Sequence, residues 1–101
     1  MKKNEFYRIT NDEGTVRAIK VSGEIDSEKG IGYCKDELTK LWYPIDITTG
    51  LSVIPKRELT KTRAKTNEAV AKYDEEINNI RQGKTYKKFI GRLQDLVKVA
   101  E

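Results

Sequence analysis

The residues best able to act on a partner lie in one ten-residue segment. Lys56, Arg57, Lys61, Arg63 and Lys65 stand within 56–65 against a single carboxylate, Glu58. Residues 1–55 hold eight Lys/Arg and nine Asp/Glu, a net of −1, and residues 56–101 hold twelve and seven, a net of +5. The overall charge of +4 is therefore concentrated rather than spread. Such a cluster can contact phosphate or an acidic protein surface, with the hydroxyls of Thr60, Thr62 and Thr66 adding hydrogen bonds. The competing reading is a helix start kept soluble by its cations. A helix start gains little from them, because cations oppose the N-terminal dipole by about 0.3–1 kcal/mol each.

Other chemistry is largely excluded. The chain has no His and one Cys, Cys34. It can form no internal disulfide, no Cys/His zinc cluster, and no Ser-His-Asp or Cys-His nucleophile. Catalysis would have to rest on carboxylates, Lys or Tyr, and none of these gathers into a recognisable motif. The expectation is no enzyme, no cofactor and no metal. Asp74, Glu75 and Glu76 are consecutive and so point in different directions on a helix. Asp12-Glu13-Gly14 lacks the repeated ligand spacing of a calcium loop. Cys34, beside Tyr33, reads as a small core residue. Glycines 23, 30 and 32 make no phosphate-cradling fingerprint. Trp42, the sole Trp, is either core or a binding anchor. It stands out of phase with Tyr43, Ile45 and Ile47, so it faces the other side of the sheet if those three face the core.

These residues need a scaffold, and the chain divides into two halves to supply it. Residues 6–10 (Phe-Tyr-Arg-Ile-Thr) suit a strand, Asn11-Asp12-Glu13-Gly14 is turn chemistry, and 15–21 reads as the returning strand. Ser22-Gly23 and 26–30 read as loop, 31–34 as a short strand, and 35–40 as a polar connection. From Leu41 to Ile54 the sequence predicts a second hairpin, turning at Thr48-Thr49-Gly50, with Pro44 marking an edge strand or bulge. Pro55 ends the β half. Val70, Tyr73, Ile77 and Ile80 then fall at helical spacing, Gly83 is a stop, and Thr85 can cap a second helix. That helix carries Tyr86, Phe89, Ile90, Leu93, Leu96, Val97 and Ala100 on one stripe. Its cations, Lys84, Lys87, Lys88, Arg92 and Lys98, lie off the stripe. The predicted fold is one α+β domain over 1–101. A small antiparallel sheet of four to five strands (about 5–54) precedes a helical hairpin (about 60–82 and 85–100). The hairpin could also pair with a second copy of the chain to form a homodimer.

Met1-Lys2-Lys3 opens like a signal peptide, but no apolar run follows, and no stretch approaches the ~18–20 residues of a membrane span. A cytoplasmic protein with no membrane partner is expected. The pattern Trp42-x-x-x-Asp46-x-x-Thr49-Gly50-Leu51, with Thr60-Lys61-Thr62-Arg63-Ala64-Lys65 after it, resembles one in small phage and prophage proteins of low-GC Gram-positive bacteria. There a strand, a Thr-Gly turn and a strand lead into a Thr/Lys-rich helix. The likeness covers about a quarter of the chain and implies context rather than catalytic residues. It suggests a small accessory protein that binds a host or phage protein in the host cytoplasm. Blocking a host defence nuclease such as a CRISPR effector is the concrete version. The expected binding residues are Lys56, Arg57, Lys61, Arg63, Lys65 and Trp42, with direct nucleic-acid binding through the same cations as the alternative.

Overall fold

The computed structural model describes residues 4–100, so the charged opening Met1-Lys2-Lys3 lies outside the described residues. Four strands, β1 (Asn4–Asp12), β2 (Thr15–Asp26), β3 (Ile31–Lys35) and β4 (Trp42–Asp46), form one antiparallel sheet in the order β1-β2-β3-β4. Three helices follow: α1 (Arg63–Lys72), α2 (Asp74–Gln82) and α3 (Lys84–Ala100). The α+β architecture is as the sequence predicts.

The first hairpin closes through Glu13 and Gly14, both at positive φ (51° and 84°). Two such residues give the twist that matches paired strands. The Gly14 N–H donates to Asn11 Oδ1 at 3.0 Å. Beyond this turn β2 runs further than predicted. Ser22-Gly23 is not a loop but the point where the strand changes partners: residues up to Gly23 pair with β1, and Glu24–Asp26 pair with β3. The sheet coils sharply at this point. A Cβ on Gly23 would lie 2.0 Å from the Tyr33 carbonyl oxygen, and one on Gly32 would lie 2.6 Å from the Phe6 ring. At the other end of the coil, the Ile9 N–H donates to the Gly50 carbonyl at 2.8 Å.

Coiling gives the sheet two buried faces. Register puts Phe6, Val21, Ile25, Cys34, Tyr43 and Ile45 on one of them, where Phe6, Cys34 and Ile45 form a buried cluster with Ile47 packed beside it. On the other face Ile31, Tyr33 and Ile54 pack with Val70 of α1 and Ile77 of α2, and Trp42 packs against them. This reverses the expected phase of β4. Trp42 faces the helices, and Tyr43, Ile45 and Ile47 face the inside of the coil. The alternation along β4 distinguishes its two sides, but with both sides covered it does not say which one carries the helices.

β4 is an edge strand, and its outer side is only partly paired. The Pro44 carbonyl accepts from Val53 N–H at 3.0 Å, so its missing N–H also lies on the outer side and removes no bond to β3. Residues 51–54 follow β4 through one isolated bridge, Ile45 with Ser52, rather than forming a fifth strand. The predicted first helix is broken at Tyr73 (φ −100°, ψ 12°), so that α1 packs on β4 while α2 meets α3. Asp74, Glu75 and Glu76 fill the first turn of α2, where carboxylates complement the dipole. Gly83 separates α2 from α3 in an extended conformation (φ −80°, ψ 157°), and Thr85 lies inside α3 rather than capping it.

Close approach at Gly23 and Gly32 gives a graded expectation. Gly23→Ala would meet backbone and should destabilise more than Gly32→Ala, which meets a ring, with overpacking costs of about 1–3 kcal/mol. Gly91 lies within α3 and a Cβ there meets nothing within 4 Å. Gly91→Ala should therefore stabilise by about 0.5–1 kcal/mol. Urea unfolding of the three variants reads all of these, and a neutral Gly23→Ala would contradict the coiled sheet.

Candidate functional site

After Pro55 the chain makes a single 3-10 turn (Lys56–Glu58), tucks Leu59 against the helix-side core and reaches β4 at Thr60. Thr60 forms an antiparallel bridge with Trp42, whose N–H donates to the Thr60 carbonyl at 2.8 Å. Thr62 then caps α1, its hydroxyl accepting from Lys65 N–H at 3.2 Å. Thr60 Oγ1 bonds both the Thr62 carbonyl and the hydroxyl of the buried Thr66, each at 2.8 Å. The three threonines therefore hold the segment in place instead of serving a partner, which corrects the role expected for their hydroxyls.

The charges divide in the same way. Glu58, the one carboxylate of the segment, is engaged by Lys72 Nζ at 3.6 Å and by the Tyr73 hydroxyl at 3.4 Å. Arg63 donates from Nε to Glu24 Oε2 at 2.8 Å, and its guanidinium lies 3.4 Å from the centroid of the Tyr33 ring. Tyr33 is buried, which pushes its hydroxyl up against the opposing pull of Arg63. Arg63 therefore belongs to the packing of α1 on the sheet. Trp42 does too, which removes two of the six expected binding residues from the free surface. Lys56, Arg57, Lys61 and Lys65 are exposed, and none forms an ion pair among the described residues.

A second constellation was not singled out from the sequence. Asp46, at the end of β4, is only 4% exposed. Its Oδ1 accepts from the Thr48 N–H (2.9 Å) and hydroxyl (2.7 Å), and its Oδ2 from Tyr86 OH (2.7 Å) and Arg81 Nε (3.2 Å). Arg81 also donates to the carbonyls of Lys29 (2.6 Å) and Gly30 (3.5 Å). One carboxylate thus ties β4, the β2–β3 loop, α2 and α3 together. Burial pushes the Asp46 carboxyl up, but the bonds from Tyr86 and Thr48 and the Arg81 charge outweigh it and hold the pKa below the usual carboxylate range. With four donors on its two oxygens, Asp46 is placed to anchor rather than to transfer protons. The signal in the sequence was the Asp-x-Thr spacing of an Asx-type turn before Gly50.

Cys34 is buried, and burial pushes its thiol up against the opposing charge of Arg8, which fits a core residue. Among the described residues no group of three or more His, Cys, Asp or Glu gathers to hold a metal. No helix among them is long and apolar enough to cross a membrane.

Replacing Asp46 by Asn should cost about 3–5 kcal/mol, because it leaves the Arg81 charge half-buried and unpaired. The folded pKa of Asp46 lies below its unfolded value, so its contribution is full above the unfolded pKa of about 3.9 and is lost as pH falls through the folded pKa. Denaturation between neutral pH and about pH 2 should show wild type losing stability on the acid side more steeply than Asp46→Asn. Equal slopes would contradict this assignment.

No family model, curated protein or solved structure matches this chain, so a reading of its function rests on its own residues.

Proposed function

We propose that this is a non-enzymatic binding protein that docks Lys56, Arg57, Lys61 and Lys65 on an acidic surface of a protein partner. The observation that carries this is selective exposure. The carboxylate of the segment and the hydroxyls of Thr60, Thr62 and Thr66 are engaged in bonds within the chain, and four exposed cations are left without an ion pair among the described residues. Lys65, in the first turn of α1, opposes the helix dipole, and Lys56, Arg57 and Lys61 gain no ion pair among the described residues, so their placement favours an external partner.

A protein partner is favoured over nucleic acid by the neighbourhood. Trp42, bridged to Thr60 within the segment, packs inward and offers no stacking platform. The bridge between Trp42 and Thr60 also brings the β3–β4 turn to the same end of β4. That turn is held by Asp36, which accepts from the Leu38 N–H and the Thr39 hydroxyl, and it presents Leu38 at 94% exposure. An apolar tip beside unpaired cations suits a protein surface better than a phosphate backbone. The resemblance to phage accessory proteins supplies the setting, a host or phage protein in a bacterial cytoplasm. A defence nuclease fits as target only through an acidic face, because its nucleic-acid channel would be cationic like this segment.

The test is affinity capture from nuclease-treated bacterial lysate by wild type and by the variant carrying Lys56→Glu, Arg57→Glu, Lys61→Glu and Lys65→Glu. A protein held by wild type and lost by the variant is expected, and retention by the variant would refute the site. Leu38→Ser should weaken the same complex. If the partner is instead duplex DNA, Leu38→Ser should have no effect, and log affinity should fall with log salt at a slope of roughly −3.6 for four phosphate contacts.

A further inference from the structure

The longest helix is the least covered. α3 fully buries only Leu93, while Phe89, Ile90, Leu96 and Val97 are half-buried and Val99 is 86% exposed. Beside it, α2 and the 49–53 turn enclose an open cavity of about 230 Å³ with apolar walls from Leu51, Val53, Ile77, Ile80 and Phe89. The polar groups at its floor, Asp46, Arg81 and Tyr86, are bonded to one another and leave little for a polar ligand to recognise. Ile80 stands at the rim with 61% of its surface exposed. A hole and a knob thus lie side by side on one face.

The charges around this face are also unmatched. Of the acids that open α2, Glu76 is the one on the side of Ile80, and of the α3 cations, which lie off its apolar stripe, Arg92 is the one that flanks Phe89. Both are exposed, and neither forms an ion pair among the described residues, although α2 and α3 are neighbours. Helical spacing places Glu76 one turn before Ile80, and Arg92 one turn after Phe89.

From this we infer that α2 and α3 form a homodimer interface in which Ile80 of each copy fills the cavity of the other. A two-fold axis makes one patch meet itself, so a surface holding both knob and hole, and both acid and base, is complementary to its own copy. Glu76 of one copy then lies opposite Arg92 of the other. This surface involves none of the four cations of the 56–65 segment, so the two sites can operate together.

Sedimentation equilibrium of the full chain across the micromolar range tests this. The expected result is a dimer. Ile80→Glu should weaken it by roughly 30-fold or more, the effect of losing a central anchor. Glu76→Arg and Arg92→Glu should each weaken it, and the double variant should recover it, because the swapped charges meet again across the axis. Ile80 and Arg92 are exposed, so Ile80→Glu and Arg92→Glu should keep the thermal transition that the wild type shows when dilute enough to be monomeric, while Glu76→Arg should lower it slightly by opposing the α2 dipole. A chain monomeric throughout this range, a dimer indifferent to Ile80→Glu, or a double variant no tighter than the singles would overturn the proposal.

Discussion

The buried carboxylate of Asp46 holds the two halves of this molecule in one arrangement. The strands could form their meander without it, and α2 and α3 could form as amphipathic helices. Their relative placement needs a link, because the helix-side core is small: Ile31, Tyr33, Ile54, Val70 and Ile77. Asp46 supplies that link by accepting from Thr48 within its own turn and from Arg81 and Tyr86 on two different helices. Arg81 extends it to the carbonyls of the β2–β3 loop. A charge held in this way is costly to bury and more costly to leave unpaired, so the geometry is specified rather than merely favoured.

The second constraint is the coil of the sheet. A chain of 101 residues has few apolar side chains to cover a flat sheet on both faces. Bending β2 at Gly23 and laying the Phe6 ring on Gly32 lets one face cover itself, while the helices cover the other. This explains why periodicity made the strands and helices legible and left the facing of β4 undetermined. Alternation of Tyr43, Ile45 and Ile47 with Trp42 and Pro44 distinguishes two sides. When both sides are buried, polarity carries no further information about which one meets a helix. The break at Tyr73 was equally hidden, since Val70, Tyr73 and Ile77 fit one continuous stripe.

The candidate site was half legible for a related reason. Composition locates a cationic segment but cannot tell which of its cations have partners elsewhere. Arg63 differs from Lys61 and Lys65 only through Glu24 and Tyr33, some 30 to 40 positions away in the chain. The threonines that looked available proved to be the bonds that fix the segment. Long-range pairing thus sorted the cluster into a structural arginine and four free cations. The same pairing revealed Asp46, whose sequence neighbourhood suggested only a turn.

The central claim is that the scaffold engages its other polar groups in this region and leaves Lys56, Lys61 and Lys65, with Arg57, as the surface that meets a partner. Lysine acetylation rates, measured residue by residue with and without the captured partner, test it most directly. The account predicts that Lys56, Lys61 and Lys65 are protected on complex formation while Lys87 and Lys88 keep the rates of the free protein. Protection confined to the α3 lysines, with the 56–65 segment unchanged, would contradict it.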